Sequence, residues 1–482
     1  MKYESKRVDR IAYMFLLFSL MFVFCTYGSI ALAKTYHLYP KGKCPPRQDC
    51  IFALWQISKI APGDTVVLYD SAGTHKGAFG MEGWKGTAKS PITLRAASGQ
   101  TPVIDGYVDI QQSEYITLEG ITVTNSPYGG ILIQKASNNI TVTKCTVKNS
   151  ALGIWIGNGA GMGNKITENE VFSNSTQGIA ADHINCVPGK ETIISRNRVY
   201  NNGYHGFEIS SNYYIIEHNE VFNNGKDYIG SSGIHLFAFT PDDNAGDHNI
   251  IRYNICYGNI EAVSGPDGNG IQLDQWCDYN QVYYNVCYNN DGAGIAVFDS
   301  AESTISNNTL FNNCLNKNSS HLFKGEIFLA SDFTKNVDHV KNVTVKNNII
   351  VSNRADIPAI AVCELTSNNT LSIGNNLLYN TKGGNLFIWG KVSGTDIKQW
   401  NGLSGGANDI SQNPVFASAV PSAIADFKLN QSSPCIDKGS TTGIAADIFG
   451  TKVFKGKAPD LGAIESAFTK VTIAAPKNLR HK

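Results

Sequence analysis

Between about residues 115 and 390, apolar and polar positions recur in one phrase. An apolar residue is followed three positions later by Asn, then an apolar residue after two, then a second Asn after three. Ile166, Asn169, Val171 and Asn174 make one copy; Ile216, Asn219, Val221 and Asn224 make another. Val282, Asn285, Cys287 and Asn290 repeat it, as do Ile305, Asn308, Leu310 and Asn313. Within each copy the alternation has the period of two that belongs to strands. The first asparagines are Asn169, Asn197, Asn219, Asn254, Asn285, Asn308, Asn348 and Asn376, separated by 28, 22, 35, 31, 23, 40 and 28 residues. A floor near 22 with larger excursions describes one solenoid coil plus loops of variable length.

Stacked coils place equivalent residues about 4.8 Å apart. At that spacing each side-chain amide can donate to one neighbour and accept from the other, so the column predicts an internal asparagine ladder. Asparagine also tolerates the left-handed backbone of a sharp corner. Cys145 keeps the same register one coil earlier, and Cys256 and Cys287 share an inward column. A second phrase opens on Gly130, Gly153, Gly178, Gly206, Gly233, Gly270 and Gly294, each followed by an alternating strand. Glycine there suits a corner with positive φ. Two strand phrases per coil, with room for a third, predict an all-β, right-handed parallel β-helix. Ile51 to Ile60 has the spacing of a short amphipathic helix and is assigned as the N-terminal cap, with strands from Thr65 to Tyr69 and from Pro91 to Ala96 opening the stack.

Composition narrows the setting. Lys2, Lys6, Arg7 and Arg10 precede an apolar run from Ile11 to Phe24, and Ala31-Leu32-Ala33 offers a small-x-small cleavage site. Residues 1–33 therefore read as a signal peptide, and the protein as secreted (extracellular or periplasmic) with no membrane attachment after cleavage. Residues 34–110 form the cap and first coils, 111–390 the central coils, and 391–482 the last coils and a closing segment. Loss of the signal removes four basic and two acidic residues and leaves a net charge of −2, without the basic footprint of a nucleic-acid binder. Ten cysteines remain, and Cys44 and Cys50 are close enough to form a disulfide-closed loop. The chain is expected to be monomeric.

The segments APGDTVVL (from Ala61), PITLRA (from Pro91) and PVIDG (from Pro102) resemble the opening of bacterial secreted β-helix proteins of the pectate-lyase superfamily. DFKL (from Asp426), SPCIDKG (from Ser433) and PDLGAIE (from Pro459) resemble their closing segment. The resemblance spans nearly the whole mature chain and implies the fold and a polysaccharide partner. It leaves the reaction open among lyases, hydrolases, epimerases and adhesins.

Positions +1 and +3 after each anchoring glycine are apolar and point inward, so +2 and +4 point outward. The +2 column reads Leu132, Trp155, Ala180, Glu208, His235, Gln272 and Ala296. The +4 column reads Gln134, Gly157, Asp182, Ser210, Phe237, Asp274 and Phe298. Asp182, Glu208, His235 and Asp274 thus fall on one strip as catalytic candidates. Trp155, His183, Tyr204, His205, Phe237, Gln272 and Phe298 are the candidate substrate contacts. In β-elimination from a uronan, His235 is the base, with Tyr204 or His205 as alternatives, and the carboxylates serve as metal ligands or acids. In glycoside hydrolysis, a pair is drawn from Asp182, Glu208 and Asp274. Binding without reaction, as in an adhesin or carbohydrate-binding module, uses the same face. Asp242, Asp243 and Asp247 lie in a loop after His235 and could hold Ca²⁺. Familiar pectate lyases place an outward Lys or Arg as the base, and neither column has one. Ala181-Asp182-His183 followed by Gly203-Tyr-His-Gly206 resembles part of the alginate epimerase pattern, with its second Asp missing.

Overall fold

The computed structural model describes residues 32–468 apart from 47, 71–72, 263, 266, 319–323, 332–338, 364–369, 407 and 454–455. Most of the segment expected to be a signal peptide, residues 1–33, therefore lies outside the described residues. Among the described residues, no helix is long and apolar enough to cross a membrane.

The chain winds as a right-handed parallel β-helix, and each central coil lays down three short strands in three columns. In one coil these are Lys165–Thr167, Glu170–Phe172 and Ile179–Asp182. The next coil adds Thr192–Ser195, Arg198–Tyr200 and Phe207–Ser210, paired in parallel with the first set. The asparagine phrase therefore contains two strands, one on each side of the first Asn. Inward residues of the third column, among them Ile154, Ile179, Phe207, Ile234, Ile271 and Ile295, are fully buried in one continuous core. Cys256 and Cys287 pair on adjacent rungs within it.

All eight asparagines form one ladder. Asn169 Nδ2 donates to Asn197 Oδ1 at 2.9 Å, and the pattern continues through Asn219, Asn254, Asn285, Asn308, Asn348 and Asn376. Each backbone N–H also donates to the next Oδ1, and Nδ2 reaches a carbonyl of the preceding coil. The ladder ends on Asp409, which accepts from Asn376 Nδ2 at 3.1 Å and from Trp400 Nε1 at 2.7 Å. The second asparagines build a parallel ladder from Asn174 through Asn202, Asn224, Asn259, Asn290 and Asn313, closed by the buried Glu326.

Three expectations need correction. The ladder asparagines do not carry the left-handed backbone; the residue before each does, as at Glu168, Arg196 and His218 (φ 58, 56 and 56°). Turning the preceding residue aims the asparagine inward, where its amide stacks. The anchoring glycines do not adopt positive φ either. They are required by space: a Cβ at Gly153 would stand 2.2 Å from Gly178 O, and one at Gly206 2.5 Å from Val221 Cγ1. The cap is a single 3-10 turn at Leu54–Gln56, because Gln56 Oε1 accepts the N–H groups of Phe52 and Ala53 and Ile57 leaves the turn in an extended conformation. Leu54 is buried, and Ile51, Ile57 and Ile60 pack on the first rung. Cys44 and Cys50 form a disulfide just before it.

At the other end, the helix Ile397–Ser404 buries Trp400 over the last coil. The chain then doubles back along the outside of the second column. Tyr253 Oη donates to Ala446 O, and Tyr288 Oη to Ser422 O.

Candidate active site

Successive rungs of the third column pair Ala180 with Glu208, Glu208 with His235, and His235 with Gln272. Asp274 stands two residues past Gln272, and its carboxylate reaches back across the rung: Oδ2 lies 3.0 Å from His235 Nε2. These groups point away from the core yet are roofed by loops, so His235 is only 6% exposed. Burial pushes the His235 pKa down, but the hydrogen bond to Asp274 and the charges of Asp274, Glu208 and Asp267 outweigh it and leave a net rise.

His205 stacks on His235 with ring centroids 4.2 Å apart and planes 9° from parallel. Its Nδ1 accepts the backbone N–H of Ser232 at 3.0 Å. Burial, then the neighbouring His235, hold its pKa well below the usual histidine value, so the ring is neutral. A neutral His205 whose Nδ1 accepts must carry its proton on Nε2. With Asp274 accepting from Nε2, neutral His235 is the same tautomer, and its Nδ1 keeps a lone pair. His205 Nε2 and His235 Nδ1 are both buried without a hydrogen-bond partner. One ring nitrogen of each and a carboxylate oxygen of Glu208 lie within 4.8 Å of one another.

Those three side chains match a metal-ligand cluster in distance but not in chemistry. His205 Nδ1 faces an N–H and Nε2 carries the remaining proton, so neither nitrogen has a lone pair to give. Calcium prefers six to eight oxygens, which two imidazoles do not supply. The three acids of the loop are engaged separately: Asp243 Oδ2 accepts from Phe239 and Thr240 N–H, Asp247 Oδ1 accepts from Asp278 N–H, and Asp242 is exposed. Burial raises Asp247 to about 6.

Tyr204 packs against His205, centroids 3.9 Å apart. Burial, followed by the charges of Glu208, Asp267, Glu261 and Asp274, pushes its phenol up to about 12, so it holds its proton. Gln272 Oε1 accepts from Ser232 Oγ (2.6 Å) and Asn269 Nδ2 (2.9 Å), while Gln272 Nε2 donates to Asp267 Oδ1 (3.2 Å). Burial and the adjacent Asp274 raise the Asp267 pKa. Glu261 accepts the N–H groups of Gly230, Ser231 and Asp267, which fixes the roofing loops. Glu208 also accepts from Gln177 Nε2.

Not every residue of the strip joins this centre. Asp182 lies at the rim, more than half exposed, with His183 Nδ1 2.6 Å from its Oδ1. His183 in turn stacks on the exposed Phe239, which meets Phe237 edge-on, and Phe237 lies 5.7 Å from His235. Trp155 stands two rungs before Glu208, its indole folded over Gly157. Phe298 packs into an outer apolar cluster with Ala296 and Phe328. Sequence columns beginning at the glycines missed Asn269, Ser232 and Glu261, while Asp267 stands out only as an acid of the loop before Gly270. A signal was present one position earlier: the residues before Gly178, Gly206, Gly233 and Gly270 are Gln177, His205, Ser232 and Asn269, a polar column beside the site.

The family model described as "Right handed beta helix region" matches residues 106–259 and 186–331. No curated protein matches the chain. Among solved structures, the Azotobacter vinelandii mannuronan C-5 epimerase AlgE6 A-module is similar at 15% identity and TM-score 0.51, covering 73% of this chain and 91% of that one. Pectate lyase Pel9A is similar at 16% identity and TM-score 0.47, with 91% and 98% covered. An alginate lyase from Paenibacillus sp. str. FPU-7 is similar at 20% identity and TM-score 0.44, with 61% and 99% covered. At these identities the likeness is one of fold.

Proposed function

We propose that this chain, a right-handed β-helix of the pectate-lyase superfamily, is a polysaccharide lyase that cleaves a uronic-acid-containing glycan by β-elimination. One observation carries the proposal. Asp274 fixes the Nε2–H tautomer of His235 and leaves a buried, unpartnered Nδ1 lone pair beside a proton-bearing His205 Nε2. An imidazole so oriented by a carboxylate is a general base, and a base is what proton abstraction from carbon requires.

In the proposed reaction, His235 Nδ1 takes the C-5 proton of the uronosyl unit. The electrons of that C–H bond form the C4–C5 double bond as the C4–O bond breaks. Tyr204, whose phenol stays protonated, gives its proton to the departing oxygen. His205 Nε2–H donates to the carboxyl oxygen on which charge accumulates, the role of a fixed electrostatic donor. Asp182, His183 and Phe239 at the rim offer a polar and aromatic contact for a neighbouring sugar.

A second reading has its own support. Asp267, with its raised pKa, and Glu208 could act as acid and base in glycoside hydrolysis. Mass analysis of products from a panel of uronans and neutral glycans separates the two. Elimination yields fragments lacking the elements of water relative to hydrolysis. Saturated products refute the lyase; binding with no cleavage of any glycan refutes both and leaves a binding module.

A further inference from the structure

The turns that lead from the third column into the first stack on one another, and their side chains form an outward row. Tyr115, Asn139 and Gly163 are equivalent positions in it. The backbone N–H of each donates to a carbonyl on the next coil, at Asn138, Met162 and Lys190 respectively. All three have positive φ, at 52, 55 and 72°. At Gly163 the row loses its side chain. A Cβ there would stand 2.7 Å from Asn139 Oδ1, so glycine keeps the space in front of that amide open. The gap belongs to a groove of about 590 Å³, on the turn and not on the face that carries His235. That volume falls within the ~300–1,000 Å³ of small-molecule sites.

The lining groups divide by whether they are already satisfied. Glu114 forms a salt bridge with Lys85 at 2.9 Å, and Glu191 Oε1 accepts from Gly189 N at 2.8 Å. Asn138 accepts from Met162 N and donates to Ala136 O. The Tyr115 hydroxyl, the Asn139 amide and the ammonium groups of Lys165 and Lys190 have no such partner among the described residues. Two free cations beside acids that are already engaged favour an anion. The half-buried Tyr115, Met162 and Ile193 add apolar surface to the lining. An inorganic anion would use the charges alone. A sugar acid uses every free group: its carboxylate meets the lysines, its hydroxyls the amide and phenol, and its C–H faces the apolar surface.

We infer that this groove is a second, non-catalytic site that binds a segment of an acidic oligosaccharide, with its carboxylate held by Lys165 and Lys190. Asp182 and His183, at the rim of the candidate active site, open the turn in which Lys190 stands. A polymer anchored in the groove therefore raises the effective concentration of its other units at the catalytic face. The inference requires an acidic glycan as the partner, but not its elimination.

The test is isothermal titration calorimetry with hexasaccharides of polygalacturonate, alginate and a glucuronan. It uses the full chain carrying His235→Gln, so that nothing is cut, and the same chain with Lys165→Ala and Lys190→Ala added. At least one hexasaccharide should show a binding component that weakens roughly tenfold in the lysine variant, with the melting temperature unchanged. Reducing the carboxyl groups of that hexasaccharide should weaken the same component as much. Binding unaffected by the lysine substitutions overturns the inference, as does no binding of any hexasaccharide. Inorganic phosphate binding as tightly as the sugar acid, and equally dependent on the lysines, also overturns it. A lysine-dependent component in a protein whose wild type forms no double bond in any uronan sinks the elimination reading and leaves this inference standing.

Discussion

Asp274 Oδ2 lies 3.0 Å from His235 Nε2, although 39 residues separate the two along the chain. One rung of the β-helix joins them, and each is buried enough for the contact to fix a tautomer. Replacing Asp274 by Asn keeps the shape, but the new amide can donate to Nε2 and move the imidazole proton to Nδ1, where the base should be. The expected result for D274N is a fall in kcat of about 10²–10⁴ with a smaller change in KM. Steady-state kinetics check this, with a thermal melt to establish that the fold is retained.

The pH profile follows from the same pair. The His235 pKa is raised above 6.5, and the base works only when deprotonated. Activity should therefore climb with pH through an inflection above 6.5, and D274N should move that inflection downward. For stability the sign is opposite. A histidine with a raised folded pKa contributes stability that is complete below its unfolded pKa and lost as pH rises through the folded one. A profile of kcat/KM against pH in both proteins, set beside urea melts, separates the effects.

The fold and part of the site were legible in the sequence for one reason: a parallel coil repeats its register, so a column of like residues marks a line in space. Asn169 to Asn376 could be counted, and Glu208, His235 and Gln272 could be placed on consecutive rungs. Loops obey no such register. Nothing in the spacing showed that Glu261 gathers the N–H groups of Gly230, Ser231 and Asp267, or that this closes a roof over His235. Asp182 illustrates the opposite error. It belongs to the right column, yet it bonds His183 at the rim instead of meeting Glu208. The spacing of the glycines suggests corners, whereas the crowding behind Gly153 and Gly206 arises only once coils are stacked.

Asn285 occupies a central rung of the first ladder. It accepts from Asn254 N and Nδ2 and donates to Ile251 O and Asn308 Oδ1, all between 2.9 and 3.0 Å. Replacing Asn285 by Ala leaves several buried partners unmatched and should cost about 2–4 kcal/mol. A shift of the urea midpoint without a change in slope verifies it; a loss below about 0.5 kcal/mol contradicts the ladder's energetic role.

Glu326 ends the second ladder, where burial raises its carboxyl to about 8 despite hydrogen bonds from Asn313. The folded state therefore binds a proton that the unfolded state releases near 4.5, and stability should decline as pH rises from about 4.5 toward 8. Glu326→Gln preserves an oxygen to accept from Asn313 and removes the titration. It should flatten that decline and gain on the order of a few kcal/mol at alkaline pH. Melting temperatures across that range supply the check.

The most direct measurement compares wild type with His235→Gln for release of unsaturated uronosyl ends from a uronan, with folding of both verified by circular dichroism. The wild type should generate the double-bond absorbance, and the variant should lose about 10²–10⁴ of the rate. Undiminished elimination by His235→Gln would contradict the assignment of His235 as the base.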